Sequence, residues 1–312
     1  MLMSDIPTID VSPLASGALG ERMACGRAIG DACRGVGFFQ VTGHGVDPVL
    51  LAQAFAAARE FFALPATEKM TVAMRRETGY RGYLPLASEV TDPAFGGDPK
   101  EGFDVKFGPG TTAERSPMAG IWPPRPPELA SVLSDLYAEM CQLGRMLSRG
   151  FALSLDLQEE FFAAALDQPT AILRVLHYPP LPRLPDRELL PFGCGAHSDY
   201  GYLTMLAQDE QGGLQVQNRT GDWLDVRPTS NAFVCNVGEM MARWTNDVFR
   251  ATPHRVVRVS PQSRYSIPFF FHPNARVWID PLPTCISADG KRRYEPIMSG
   301  DYLQARLDGA YV

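Results

Sequence analysis

The chain has no run of about 20 apolar residues, so no membrane span is expected. Its opening, Met1 to Val11, lacks a basic stretch followed by an apolar run, so no signal peptide is expected. Positive charge is not in excess. The 29 Lys and Arg against 35 Asp and Glu give a net −6, which argues against non-specific binding to nucleic acid. No C-x-x-C pair occurs, and six irregularly spaced cysteines fit reduced thiols in a cytoplasm better than a disulfide framework. There is no internal repeat and no low-complexity tract. What is present is an ordinary globular composition, 45% hydrophobic and 21% charged over 312 residues, long enough for one large domain. Nothing in the composition fixes an oligomeric state.

Hydrophobic periodicity divides the chain. Glu21 to Arg34 reads as a helix and Gly37 to Val41 as a strand. Asp47 is suited to cap a helix through Phe62, with Leu50, Leu51, Ala54, Phe55, Ala58, Phe61 and Phe62 on one face. Pro65 and Thr67 open a short helix. The segment from Gly79 to Pro126 is rich in Gly and Pro and should hold loops with short strands. Glu128 to Leu153 reads as a long amphipathic helix that buries Leu129, Leu133, Leu136, Tyr137, Met140, Leu143 and Leu147, and a further helix is expected around Gln158 to Leu166. From Ala171 the pattern changes to short β runs, "ILRVLHY", "YLTMLAQ", "LQVQN", "WLDVRP", "AFVCNVG", "HRVVRV" and "RYSIPFFF", separated by turns. The expectation is a mainly β fold with flanking α-helices and a double-stranded β-helix (jelly-roll) core. A single domain spans 1–312, with a mostly helical part at 1–170, the jelly-roll at 171–280 and a C-terminal extension with a helix at 281–312.

The β part carries the chemistry. His197 and Asp199 in "GAHSDYG" are followed by a lone His254 in "ATPHRVV". Residues i and i+2 of a strand share a face, so His197 and Asp199 can reach one metal while Ser198 points away. Two imidazoles and a carboxylate form the facial triad that suits non-haem Fe(II) and leaves coordination positions open. A closed zinc site more often uses cysteine or a fourth ligand, and only Cys194 lies within three positions of a triad residue. Ten residues past His254, Arg264 and Ser266 repeat the i, i+2 spacing. A guanidinium and a hydroxyl so placed can fork a carboxylate, from a bound cosubstrate or from an acid of the chain itself. Taken singly, H-x-D, PHR and R-x-S are as common on solvated strand ends as in sites; the argument rests on their order and context.

These blocks, with "IPTIDVSPL", "GFFQVTGHGV", "RGYLP", "LHYPPLP", "CNVGEMMARWTND" and "SGDYLQARL", make nearly the whole chain resemble the isopenicillin N synthase-like branch of the Fe(II)/2-oxoglutarate-dependent dioxygenases. The resemblance implies His197, Asp199 and His254 as catalytic iron ligands, and Arg264, Ser266 and Tyr178 as binders of 2-oxoglutarate. With O2 as the other cosubstrate, it implies oxidation of a small molecule, by default hydroxylation, with release of succinate and CO2. Leu176 departs from the asparagine that many plant members carry two residues before the tyrosine, which removes one polar contact to the cosubstrate.

Strand parity places Ser266, Pro268, Phe270 and His272 on the side of Arg264. Phe270, where the family has a substrate-facing aromatic, is then a substrate contact or plain core. His272 is a substrate contact or a strand-end histidine in water. Tyr83 and Phe103 in the loop-rich segment are further substrate candidates. Lys106 there could pair with an anionic substrate, although a surface lysine is the default. His44, between glycines, reads as part of a turn. His177 should point away from Tyr178's side, Asn236 is a candidate to orient metal-bound imidazoles, and Trp244 reads as packing. Three alternatives stay open: an iron oxidase of the same fold that does not use 2-oxoglutarate, an ethylene-forming relative, and a catalytically inactive small-ligand-binding β-barrel.

Overall fold

The computed structural model describes residues 6–75, 78–91, 96–106, 122–180, 192–257 and 261–310. Strand β1 (Thr8–Asp10) is followed by α1 (Ser12–Ser16), α2 (Leu19–Arg34), β2 (Phe38–Thr42), α3 (Pro48–Phe62) and α4 (Ala66–Lys69). Then come β3 (Gly82–Leu84), β4 (Glu101–Val105) and the long α5 (Leu129–Ser154). The β part runs β5 (Thr170–Tyr178), β6 (Phe192–His197), β7 (Leu203–Gln208), β8 (Leu214–Gln217), β9 (Trp223–Asp225) and β10 (Phe233–Val237). It continues with α6 (Glu239–Trp244), β11 (His254–Val257), β12 (Arg264–His272), β13 (Trp278–Ile279), β14 (Ile297–Met298) and α7 (Ser299–Ala310).

Local chemistry sets these elements. The Asp47 carboxylate accepts from Val49 N at 2.8 Å and Pro48 begins α3, so the helix starts where the cap predicts. Helix α5 buries all seven residues of its predicted stripe. The helix expected over 158–166 is replaced by turns and a single 3-10 turn at Ala164–Leu166. Glu159 is drawn to Arg22 and Arg149 while the Phe162 ring packs 5.1 Å from Trp244, and these contacts hold the segment in i→i+3 turns against its helical propensity.

Two sheets make the jelly-roll. The larger has the order β1-β2-β10-β7-β12-β5-β4-β3, the smaller β6-β11-β8-β9. The mostly helical N-terminal part thus contributes four strands to the large sheet. That sheet is two-faced, and β12 shows how. Ile267, Phe269 and Phe271 are fully buried in the cluster shared with α2, α3 and α5. Their alternates, Arg264, Ser266, Pro268, Phe270 and His272, turn to the other face. There Phe38, Leu176, Tyr178 and Val234 of the large sheet meet Cys194, Leu214, Val216 and Val256 of the small sheet in a second buried cluster. The metal-ligand motifs lie along this inner cluster.

Helix and sheet approach so closely that a Cβ on Gly144 of α5 would lie 2.7 Å from the Phe271 ring. Gly144→Val should therefore lower stability by about 2–3 kcal/mol through overpacking. Gly20→Ala in α2, with nothing within 4 Å of its new methyl group, should be neutral or slightly stabilising. Urea midpoints of the two variants test this; an unchanged midpoint for Gly144→Val would mean that the Phe271 ring moves aside freely.

Candidate metal centre and cosubstrate pocket

His197 ends β6 and His254 begins β11, and the two are direct partners in the antiparallel register. Their rings stand 4.3 Å apart. Asp199 follows two residues later in a loop fixed from below by the start of α6. Glu239 N donates to Asp199 O at 2.8 Å and Met240 N to Tyr200 O at 3.0 Å. A Cβ at Gly238 would lie 2.4 Å from Gly201 O, so only glycine allows this approach. Ser198 points away, donating to Glu239 at 2.6 Å, as the spacing predicts.

Each ligand has its far atom occupied and its near atom free. His197 Nδ1 lies 2.9 Å from Gly195 O, and His254 Nδ1 lies 3.2 Å from Thr252 O. Asp199 Oδ2 accepts from Thr204 Oγ1 at 2.6 Å and from Asn236 Nδ2 at 2.7 Å. This leaves Asp199 Oδ1 at 3.9 Å and 3.7 Å from the Nε2 atoms of His197 and His254. One ligand atom from each residue lies within 4.8 Å of the others, close enough to share one ion. The donor set fits Fe(II), and the bonds behind it fix tautomer and orientation. Asn236 orients the carboxylate, where the sequence suggested the imidazoles.

The cosubstrate end is built on β12 and its neighbours. Arg264 pairs with Tyr178 in register, and its guanidinium sits 4.8 Å from the Tyr178 ring centre. Arg264 Nε donates to Gly212 O at 2.7 Å and Nη1 to Ser266 Oγ at 3.1 Å. Among the described residues its Nη2 is buried without a hydrogen-bond partner, and so are Oε1 and Nε2 of Gln208, which faces Ser266 across the register. Buried polar atoms without partners are costly, so this pocket calls for a polar ligand that accepts at Arg264. A dicarboxylate fits; the anion is not an acid of the described chain. Gln208 was not singled out in the sequence, although its i, i+2, i+4 relation to Leu206 and Thr204 places it inward. Leu176 is buried beside Ser266 and supplies only apolar wall.

The remaining candidates divide. Phe270 is inward, level with Thr204 in the register. His272 is buried, not facing water, and its Nδ1 accepts from Tyr202 N at 3.2 Å. Tyr83 and Phe103 are on the opposite face. The Tyr83 hydroxyl donates to Glu101, and Phe103 packs 5.0 Å from Phe61, so the structure does not bring either to the metal ligands. His44 lies in its turn, with Nδ1 accepting from Val46 N at 3.1 Å, and His177 faces Glu101 on the outer side at 2.8 Å. Trp244 packs against Phe162 and Tyr202. An ionic network behind the site was legible only as the alternating charges of "DPKEGFDVKF". Lys100, buried, reaches Asp98 at 2.7 Å, Glu89 at 3.3 Å and Cys194 Sγ at 3.2 Å, while Arg174 grips Asp104 at 2.6 Å and 2.9 Å and Glu89 at 2.8 Å. Burial opposes the charge on Glu89, but Arg174 and Lys100 bring its carboxyl down to about 2.

Without a metal the two imidazoles differ. Burial opposes charge on both, but the Cys194 thiol and Asp199 raise His197 to about 9, while burial and the neighbouring His197 push His254 down to about 4. Metal must then displace a proton from His197 at any pH below about 9. Apparent Mn(II) affinity, measured by calorimetry, should rise by up to about tenfold per pH unit between 6.5 and 8.5, with proton release into the buffer. A flat profile would show His197 already neutral.

Comparison with known proteins agrees with this geometry. The 2OG-Fe(II) oxygenase superfamily profile matches residues 169–273, and that of the non-haem dioxygenase in morphine synthesis N-terminal region matches residues 6–125. A homoarginine-6-hydroxylase of Oryza sativa subsp. japonica is 33% identical over 317 residues, covering 97% of this chain and 96% of that protein. A 2-oxoglutarate-Fe(II) type oxidoreductase of Emericella nidulans is 34% identical, covering 98% and 90%. A full-length Neurospora crassa protein, solved in complex with alpha-KG and thymine, superposes with a TM-score of 0.85 at 30% identity, covering 97% of this chain and 96% of that one. With its fold, its triad and these relatives, the chain belongs to the isopenicillin N synthase-like family of Fe(II)- and 2-oxoglutarate-dependent oxygenases.

Proposed function

We propose that this oxygenase hydroxylates a small molecule held in the chamber between the two sheets, with His197, Asp199 and His254 as iron ligands and Arg264 with Ser266 as the anchor of 2-oxoglutarate. The observation that carries the residue assignment is the buried Arg264 Nη2, unpartnered among the described residues, on the same inner face as three atoms placed to share an ion. Bound Fe(II), with 2-oxoglutarate and O2, supplies an oxidant able to attack a C–H bond, with succinate and CO2 released. The chain's own residues do the positioning. His197 and His254 offer Nε2 because their Nδ1 atoms are engaged by backbone carbonyls. Asp199 stays ionised: burial opposes its charge, but the two imidazoles and the Asn236 and Thr204 donors outweigh that. Arg264 and Ser266 present parallel donors to the far carboxylate, and Tyr178 covers the guanidinium. Leu176, Leu206 and Val256 exclude water from around it. Phe270 and its surroundings receive the substrate, and hydroxylase relatives support hydroxylation as the outcome. Six cysteines, all free, support action in a reducing compartment such as the cytoplasm.

The test is an anaerobic titration with Fe(II), then 2-oxoglutarate, following the weak visible band of a chelated keto acid. The band is expected in the native protein. Arg264→Ala should need at least about thirty-fold more 2-oxoglutarate, since losing a desolvated bidentate contact costs about 2–5 kcal/mol, while iron affinity stays the same. His197→Ala and Asp199→Ala should abolish iron-dependent succinate release. An unchanged 2-oxoglutarate requirement in Arg264→Ala would move the anchor elsewhere, and O2 consumption without 2-oxoglutarate would point to an oxidase.

A further inference from the structure

Lys106 is half-buried, where a lysine is exposed by default. Along β4, Gly102 and Asp104 face the inner chamber, because Asp104 holds the inward Arg174, while Glu101 and Phe103 face the helices. Lys106 continues the inward set by parity. The register gives its level. Val105 pairs with Leu173, so the next residue lies level with Ile172; Ile172 pairs with Phe270, Phe270 with Thr204, and Thr204 with Asn236. Thr204 and Asn236 are the two residues that hold the Asp199 carboxylate. Lys106 and the metal end therefore lie on one row across the sheet, three strand spacings from Lys106 to Thr204, or roughly 14 Å between backbones. Phe270 lies between them on that row, so a ligand spanning from Lys106 to the metal end would have the size of a single ring or a short chain.

Its electrostatic situation is unlike that of its neighbours. Lys100 is met by Asp98 and Glu89, and Arg174 by Asp104 and Glu89. Asp104, on the face of Lys106, gives both of its oxygens to Arg174. Lys106 makes no hydrogen bond and no ion pair with any described residue, although it is partly buried. Burial presses its amine towards the neutral form, Arg174 and Arg81 add to that, Asp104 and Glu89 oppose it without bonding to it, and its charge is felt at His272 on the same inner face. A half-buried ammonium that is bonded to none of the described residues is a place where an anion would be stabilising.

We propose that Lys106 is the specificity-determining residue of the substrate chamber and binds the carboxylate of an anionic substrate, whose far end then lies over Phe270 towards the metal ligands. This rests on the metal and cosubstrate reading above. It predicts small ring or short-chain carboxylates as substrates, with their neutral amides excluded.

The experiment uses the full chain loaded anaerobically with Fe(II) and 2-oxoglutarate. Benzoate, phenylacetate and hexanoate are titrated beside benzamide, phenylacetamide and hexanamide, with calorimetry and the keto-acid band as readouts. At least one acid should bind tenfold or more tightly than its amide. Lys106→Met should bring that ratio close to one, and Lys106→Arg should keep most of it. Equal binding of acid and amide, no binding of any acid, or a preference that survives in Lys106→Met would overturn the proposal. The acid-to-amide ratio of the native protein keeps the test valid if Lys106→Met fails to fold. The band forms before any acid is added, so its absence counts against the cosubstrate reading alone, and a band without acid preference counts against Lys106 alone.

Discussion

The metal end of the protein depends on how one carboxylate is held. Asp199 lies outside any strand, on a loop, and an unrestrained loop carboxylate would sample many orientations. Two neighbouring strands remove that freedom. Thr204 of β7 and Asn236 of β10, direct partners in the register, both donate to Oδ2 and so turn Oδ1 towards the two imidazoles. The loop backbone is tied in turn to the first turn of α6. Each side chain of the candidate metal site is thereby set by bonds made away from the atoms proposed to hold iron, and the proposed function leaves the open side for cosubstrates and substrate.

The large sheet makes this possible by keeping its two faces distinct. The outward residues of β12, Ile267, Phe269 and Phe271, bury fully against helices, each worth about 1.5–3 kcal/mol of hydrophobic stabilisation. That anchoring lets the inward residues be polar and unpaired. Arg264, Gln208 and Lys106 keep donors without partners among the described residues inside a folded domain, a cost that ligands are placed to remove. A one-residue slip of β12 would exchange the faces, putting Phe269 and Phe271 on the inner face and Arg264 against α3, so the same packing that stabilises the sheet also sets the site's register.

Much of this was legible in the sequence because it rests on period-two strands. The inward set of β12, the outward turn of Ser198 and His177, and the Asp47 cap all follow from spacing. The triad followed from order and residue type. The rest depends on non-local contacts. The segment 158–166 has helical propensity, yet Glu159 and Phe162 are claimed by distant partners. Tyr83 and Phe103 sit among Gly and Pro, which suggested substrate-contacting loops, but they belong to strands whose outer face meets α3. His272 is buried because Gly201 comes so close that a Cβ there would overlap the imidazole, and no local pattern announces that approach.

The ionic network of Glu89, Asp98, Lys100, Asp104 and Arg174 shows why charge was placed where apolar packing would have been cheaper. Buried ion pairs seldom add net stability over well-packed hydrophobic side chains, so stability alone does not account for a wall in which Lys100 and Arg174 each meet two acids. What the pairs add is direction. Arg174 with three acceptor contacts, and Lys100 fixed between Asp98 and Cys194, can adopt one arrangement only, and together they fasten the segment around Glu89 and Asp98 to β4, β5 and β6. Each acid of that wall is hydrogen-bonded to Lys100 or Arg174 and none, among the described residues, is bonded to Lys106, although Asp104 and Glu89 favour its charge from a distance. The network thus does for the substrate side what Thr204 and Asn236 do for the metal side: by satisfying the groups around a functional charge, it leaves that one charge for the ligand.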